Sequence, residues 1–393
     1  MPIPRLRPFH GPALFSYGFR PFFLFGALYA GVTLLVWLSV FEGRLVLFTS
    51  LSPIDWHAHE MLYGYVAAIV TGFLLTAIPN WTGRLPLNGL PLLVLLLLWL
   101  AGRIAVSFSE LIGWLPAALI DLVFLLVVVA AAGREIVAGQ NWRNLRVLGI
   151  VAAFALANVA YHVEAHWSGD AAYSRRFALS TILLLVMLIG GRIIPSFTRN
   201  WLVRENPGRL PAPFDRLDVL AIAGGALALA AWTLFPDAGL TGLLLIAAGL
   251  IHAARLVRWA GDRTGRDPLV LILHLAYAFV PVGFVLTGAA ALFPSIAPTA
   301  GIHAWSVGAI GTMTLAVMTR ASRGHTGRAL EAPPSTQLLY AAIIASAVLR
   351  ILAALLPAAS QPLLWAAGAA WIAAFWGFCA VYGPMLMRPR VGR

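Results

Sequence analysis

Leu90-Pro-Leu-Leu-Val-Leu-Leu-Leu-Leu-Trp-Leu-Ala-Gly-Arg-Ile-Ala-Val-Ser-Phe108 is an apolar run with a single charge. Coiled into a helix it is about as long as the hydrocarbon core of a bilayer is thick, roughly 30 Å. Phe22 to Phe41 reads the same way with no charge at all. The rest of the chain keeps this character. Of its 393 residues 61% are hydrophobic and 11% charged, and the mean hydropathy is +0.86. A soluble domain carries about 25% charged residues, so a water-soluble globule is excluded. The fold class is therefore an all-α polytopic membrane protein.

Reading the apolar runs against their Arg, Pro and Gly punctuation predicts twelve transmembrane helices. They fall near 22–41, 59–79, 89–108, 111–132, 145–166, 175–197, 217–235, 240–260, 268–290, 303–320, 336–356 and 361–386. Gly190–Gly191 with Pro195, and Pro79, mark breaks near the ends of two of them. The formal charge is +12, and all 27 basic residues are arginine. Twenty-one arginines sit at the N-terminus, after even-numbered spans or at the C-terminus. Arg44, Arg103, Arg175 and Arg176 are assigned to the other side, and Arg192 and Arg350 lie within spans. That asymmetry is a positive-inside signal and puts both termini in the cytoplasm. The arginines occupy short loops and form no basic domain, so nucleic acid is not a partner.

Residues 1–21 read as a cytoplasmic or interfacial lead-in, 22–386 as a single twelve-helix membrane domain, and 387–393 as a basic cytoplasmic tail. The prolines of the lead-in and the length of the first apolar run argue against a secretory signal. Cys379, the only cysteine, excludes an intramolecular disulfide, an iron–sulfur cluster, a zinc thiolate site and Cys-x-x-Cys-His haem attachment. It reads as a packing residue. No P-loop or Gly-x-Gly-x-x-Gly follows a predicted strand.

Three even-numbered helices end alike: Ile78-Pro-Asn-Trp-Thr-Gly-Arg84, Ile194-Pro-Ser-Phe-Thr-Arg199 and Gly324-His-Thr-Gly-Arg328. Offsets of 116 and 244 superpose them, and the second also brings His59 onto His303 and Gly64 onto Gly308. This predicts three parallel four-helix repeats, near 22–132, 145–260 and 268–386. The competing explanation is that small and basic residues recur at cytoplasmic helix ends.

The nine histidines are the most informative residues. The topology puts His57, His59, His162, His166 and His303 at one level, near the outer face, with Glu60 and Glu164 beside them. Ionisable groups at such depth usually mark pathways or ligand sites, and imidazole is the commonest ligand of transition metals. His162 and His166, spaced i, i+4, share a helix face. His57 and His59, spaced i, i+2, point apart on a helix and grip one metal only from an extended segment. Hydrogen bonding to loops and headgroups is the plainer alternative for each ring. Trp56 and Trp167 fit an interfacial aromatic belt. Arg192 and Arg350 fit either an ion pair with a buried acid such as Asp121 or the neutralisation of a haem propionate. His252 and His274 read as hydrogen-bonded core residues ahead of relay groups.

Several stretches resemble the signature segments of the NnrS family. They are Asp55-Trp-His-Ala-His-Glu-Met61, Ala77-Ile-Pro-Asn-Trp-Thr-Gly-Arg84, Gly190-Gly-Arg-Ile-Ile-Pro-Ser-Phe-Thr-Arg199, His303-Ala-Trp-Ser-Val-Gly-Ala-Ile-Gly-Thr-Met313 and Met318-Thr-Arg-Ala-Ser-Arg-Gly-His-Thr-Gly-Arg328. The resemblance implies a twelve-span bacterial inner-membrane protein containing haem b and copper, tied to denitrification and protection from nitric oxide stress. The layout is also similar, at a distance, to the catalytic subunits of haem–copper oxidases and nitric oxide reductases. By that analogy His59 and His303 ligate haem, and Arg192 is the cofactor-binding candidate for a propionate. The analogy's copper histidines on helices 6 and 7 are absent here, which leaves His57, His162 and His166 for copper and Glu60 as a proton relay. Nitric oxide is then the small-molecule ligand and lipid the surroundings. The electron donor stays undefined, and self-association is left open. A solute or proton transporter, and a haem or copper delivery factor, are the alternatives.

Overall fold

The computed structural model describes residues 9–392, so the expected lead-in is seen from Phe9 onward and the expected tail as far as Gly392. Among the described residues all regular structure is helical. Twelve helices are long and apolar enough to cross a membrane. They are α1 Phe19–Phe41, α2 Pro53–Thr82, α3 Leu90–Ser107, α4 Trp114–Ala138, α5 Trp142–Ser168, α6 Ala172–Glu205, α7 Arg216–Leu234, α8 Gly239–Val257, α9 Pro268–Leu292, α10 Pro298–His325, α11 Pro334–Leu355 and α12 Pro357–Met387. The protein is a multi-pass membrane protein. Helix is what hydrocarbon imposes, because each backbone N–H and C=O must find its partner within the segment.

The helix ends depart from the sequence reading where local chemistry extends them. α2 starts at Pro53 and not near residue 59: Ser52 Oγ accepts the Asp55 N–H at 3.2 Å, and Pro53 occupies the first turn. α6 runs to Glu205 and not 197, straight through Gly190–Gly191 and Pro195. Membrane helices tolerate such residues where neighbouring groups satisfy the freed backbone.

Two helices contain a π-helical segment. In α2 it covers Glu60–Val66, and in α10 it covers Ala304–Gly311. Each begins one residue after a histidine, His59 or His303, and the offset of 244 superposes their first residues. π-Helical turns are rare and concentrate at functional sites. The Thr-Gly-Arg sequences at the far ends of the same helices have a shared physical reason. Thr82 and Thr326 hydroxyls donate to carbonyls one turn back, those of Ile78 and Ser322, at 2.8 and 2.6 Å. Gly83 and Gly327 follow with φ of 71° and 79°, the left-handed conformation that ends a helix and that glycine adopts without strain.

Contacts divide the chain into two compact units. The first holds residues 1–178, 321–328 and 375–393. Within it α2 is the inner helix: 78% of its most apolar stretch is enclosed by protein, against 39% for α1, α3 and α4. Arg20 closes this unit by donating from Nη1 to the carbonyls of Leu386 and Arg388, at 2.8 and 2.7 Å, where α12 ends.

The second unit holds residues 179–320 and 329–374. Its core contains a buried ion pair, Arg255 Nε donating to Asp218 Oδ1 at 2.8 Å. Arg255 Nη1 also donates to Tyr277 Oη at 2.7 Å, and that hydroxyl lies 2.9 Å from His252 Nδ1. His274 Nε2 is 2.8 Å from Thr198 Oγ1. Both of these histidines are thus hydrogen-bonded and buried.

Candidate metal centre

Five helices of the first unit bring polar side chains to one place. His59 and Glu60 come from α2, Arg103 from α3, Asp121 from α4, Asn158 and His162 from α5, and Tyr29 from α1. His59, Asp121 and His162 lie within six or seven residues of the ends of their helices, roughly 10 Å in at about 1.5 Å per residue. These are the ends at which α3 passes to α4 and α5 to α6.

The three central groups are His59, Asp121 and His162, all buried, with one ligating atom from each lying within 4.8 Å of the others. His162 Nε2 is 3.0 Å and His59 Nε2 3.3 Å from Asp121 Oδ2. Asn158 joins them, its Nδ2 donating to the same Oδ2 at 2.8 Å and its Oδ1 standing 3.0 Å from His59 Nε2. The other His59 nitrogen, Nδ1, is 2.9 Å from Glu60 Oε1. Both His59 nitrogens therefore face oxygen acceptors. Only a doubly protonated ring, or a metal ion in place of one proton, satisfies them both.

Arg103 is the counter-ion. Its Nη1 donates to Glu60 Oε1 at 2.7 Å and its Nη2 to Asp121 Oδ1. Tyr29 donates its hydroxyl to the remaining Glu60 oxygen, Oε2. Two carboxylates against one guanidinium leave a unit of negative charge. In a buried, low-dielectric site that excess calls for a cation, either a proton on His59 or a metal.

The π segment shapes this cluster. Gly64 lies within it, and a Cβ there would sit 2.5 Å from Tyr29 Cε1 and 3.2 Å from Arg103 Cδ. The bare backbone is what lets the Tyr29 ring lie against α2. Trp99 of α3 donates its indole N–H to the Gly64 carbonyl at 2.8 Å, giving the irregular turn an acceptor's partner. Gly64→Ala should therefore destabilise the protein by about 1–3 kcal/mol, the usual range for overpacking, and separate Tyr29 from Glu60. Gly149→Ala in α5, with nothing within 4 Å, is the control. Thermal unfolding in detergent reads both, and equal melting temperatures would contradict the packing argument.

Contacts to Asp55 hold the start of α2 in place. Asp55 is fully buried; Arg175 Nη1 donates to its Oδ1 at 2.6 Å, and Tyr161 donates to its backbone carbonyl at 3.0 Å. Trp56 is 3% exposed, so it packs inside the protein and is not part of an interfacial belt, whereas Trp167 is 77% exposed.

The structure divides the histidines grouped by depth. His59 and His162 converge. His57, two residues away on a helix and not an extended segment, turns to the other side and stacks on Trp37 at 4.4 Å. His166 shares a face with His162 but stands one turn nearer the helix end, exposed and stacked on Trp114 at 4.1 Å. Glu164 is a cap: its carboxylate accepts the N–H groups of Tyr173 and Ser174 at 2.9 and 2.7 Å, at the start of α6.

His303 and Arg192 belong to the second unit. His303 Nδ1 is 2.7 Å from the Thr299 carbonyl one turn back, and Arg192 is half-buried in α6. Asp121, considered as a partner for Arg192 or Arg350, is instead paired with Arg103. Arg103, counted among the arginines of the outer side, is 3% exposed and lies inside α3. Asn158, Tyr29 and Tyr63 carried no sequence signal beyond being polar in an apolar run.

Rings pack closely around His59, with centroids of Tyr63, Tyr161 and His162 at 4.9, 5.3 and 4.9 Å. Its Nε2 points at Asn158 and Asp121. This arrangement suits an ion held between side chains and does not fit a macrocycle laid against His59.

Comparison with known proteins gives a match to the family described as NnrS protein, over residues 13–390. A search of curated proteins returns no match.

Proposed function

The chain belongs to the NnrS family, and from that premise we propose that it is a metal-containing membrane protein that binds nitric oxide at the His59–Asp121–His162 centre. The observation that carries this is the convergence of those three ligating groups, from helices distant in sequence, within 4.8 Å.

Two imidazoles and a carboxylate form a donor set suited to copper(II), iron(II) or zinc. Copper, which the family resemblance implies, fits these residues, with Nε2 of both histidines and Asp121 Oδ2 as the groups that would hold it. When bound it supplies a site for a small ligand. The chain's own residues do the remaining work. Glu60 Oε1 accepts the proton of His59 Nδ1 and so leaves Nε2 as the nitrogen that would hold an ion, as carboxylates do for ligating histidines. Arg103 holds both carboxylates in place by donating to each. Glu60, between His59, Arg103 and Tyr29, is the group proposed to exchange protons.

Haem b, also implied by the family, is proposed at His303. Its Nδ1 donating to the Thr299 carbonyl is the bond that orients Nε2 of a ligating histidine. Arg192 remains the proposed partner for a propionate. The arginine asymmetry supports cytoplasmic termini and the family resemblance a bacterial inner membrane; the His59 centre is then proposed to lie near the outer face. The proposed role is protection from nitrosative stress or support of denitrification.

One observation favours a second reading. Asp121 and Glu60 are satisfied by hydrogen bonds with a proton alone in place of a metal, as in a proton-coupled transporter. Metal analysis and an optical spectrum of one detergent preparation separate the two. Stoichiometric copper and a haem absorption band are expected after growth with both metals in excess. Neither would appear for the transporter. A delivery factor would bind metal but surrender it to an acceptor and consume no nitric oxide with a reductant present.

A further inference from the structure

Tyr63 is the fourth residue of the π segment that follows His59. Its ring is 1% exposed and held on three sides. It stacks on Phe154 of α5 at 4.7 Å, meets Tyr161 edge-on at 5.9 Å, and lies 4.9 Å from the His59 ring. Yet its hydroxyl has no hydrogen-bond partner.

The neighbouring phenols differ. Tyr29 donates to Glu60 and Tyr161 to the Asp55 carbonyl. A buried hydroxyl without an acceptor is a net cost, and a phenylalanine of the same shape avoids it. The hydroxyl becomes favourable only when an acceptor arrives, and the ring contacts leave it no freedom to seek one elsewhere. We infer that Tyr63 donates a hydrogen bond to a small ligand bound at the His59–Asp121–His162 centre. The apolar rings of Phe154 and Tyr161 against Tyr63 favour a small, uncharged molecule that carries a hydrogen-bond acceptor. Hydrogen-bond donors beside a bound diatomic are among the features that decide its affinity. This inference rests on the metal-centre reading proposed above and adds the residue that recognises the ligand.

Full-length wild type and Tyr63→Phe, purified in detergent, test it with nitric oxide as the probe. Metal content per chain should be equal in the two. The melting temperature of the metal-free variant should equal or exceed that of wild type, since no native bond is lost. Nitric oxide affinity should fall about tenfold, the effect of one hydrogen bond, and the N–O stretching band should move. Unchanged affinity with an unchanged band overturns the inference while leaving the metal centre standing. So does a lower melting temperature with unchanged affinity, which would make Tyr63 purely structural. Wild type without stoichiometric metal overturns the metal-centre reading itself, and this inference with it.

Discussion

Replacing either His59 or His162 by alanine should lower the affinity of the proposed metal site by roughly 100-fold or more, exceeding the 10–100-fold typical of changes to groups that only orient a ligand. The two variants should differ in a second respect. His162 bonds to Asp121 alone among the charged groups, whereas His59 meets both Asp121 and Glu60. Without metal, His59→Ala removes the ring whose extra proton balances two carboxylates against one guanidinium, so it should also lower the melting temperature. His162→Ala should lose metal with a smaller thermal penalty. His57→Ala and His166→Ala, whose rings stack on Trp37 and Trp114, should leave the metal content of this site unchanged. Element analysis of the four purified variants checks the series. Full metal in His162→Ala, or loss in His166→Ala, would move the site elsewhere.

Arg103→Met should cost about 3–5 kcal/mol, the range for stranding buried charge by removing one partner of an ion pair. The residue is 3% exposed, and it is the cation shared by Glu60 and Asp121. Adding Glu60→Gln and Asp121→Asn to Arg103→Met should restore most of that stability, because neutral amides need no counter-ion. It should not restore metal binding, because Asp121 is one of the three proposed ligands. Thermal unfolding in detergent measures the first effect and element analysis the second. A single Arg103→Met variant within about 1 kcal/mol of wild type would refute the charge balance argued for this cluster.

How much of the site was legible follows from where its information lies. His59, Glu60 and His162 stand out in sequence because imidazoles and carboxylates are scarce in apolar runs, and their depth can be counted along a helix. Spacing also showed that His57 and His59 point apart on a helix. It could not show which of the two turns inward, since that depends on the rotation of α2 against its neighbours. His162 and His166 share a face, but one turn of rise carries His166 to the exposed rim. Arg103 and Asp121 were visible as charges in apolar segments, yet their partnership joins α3 to α4 and both to α2. No pattern within one helix encodes it.

The sequence alone determined that the chain lies in a membrane, that it crosses as twelve helices, and that it carries the NnrS motifs. These are local properties: an apolar run in hydrocarbon has helix as its solution, and a motif is read residue by residue. Tertiary structure decided which rings meet, which two carboxylates Arg103 holds, and that a π turn with a bare glycine brings Tyr29 and Tyr63 against the centre. Those outcomes depend on the relative rotation and close approach of separate helices, which side-chain packing sets and linear spacing does not contain.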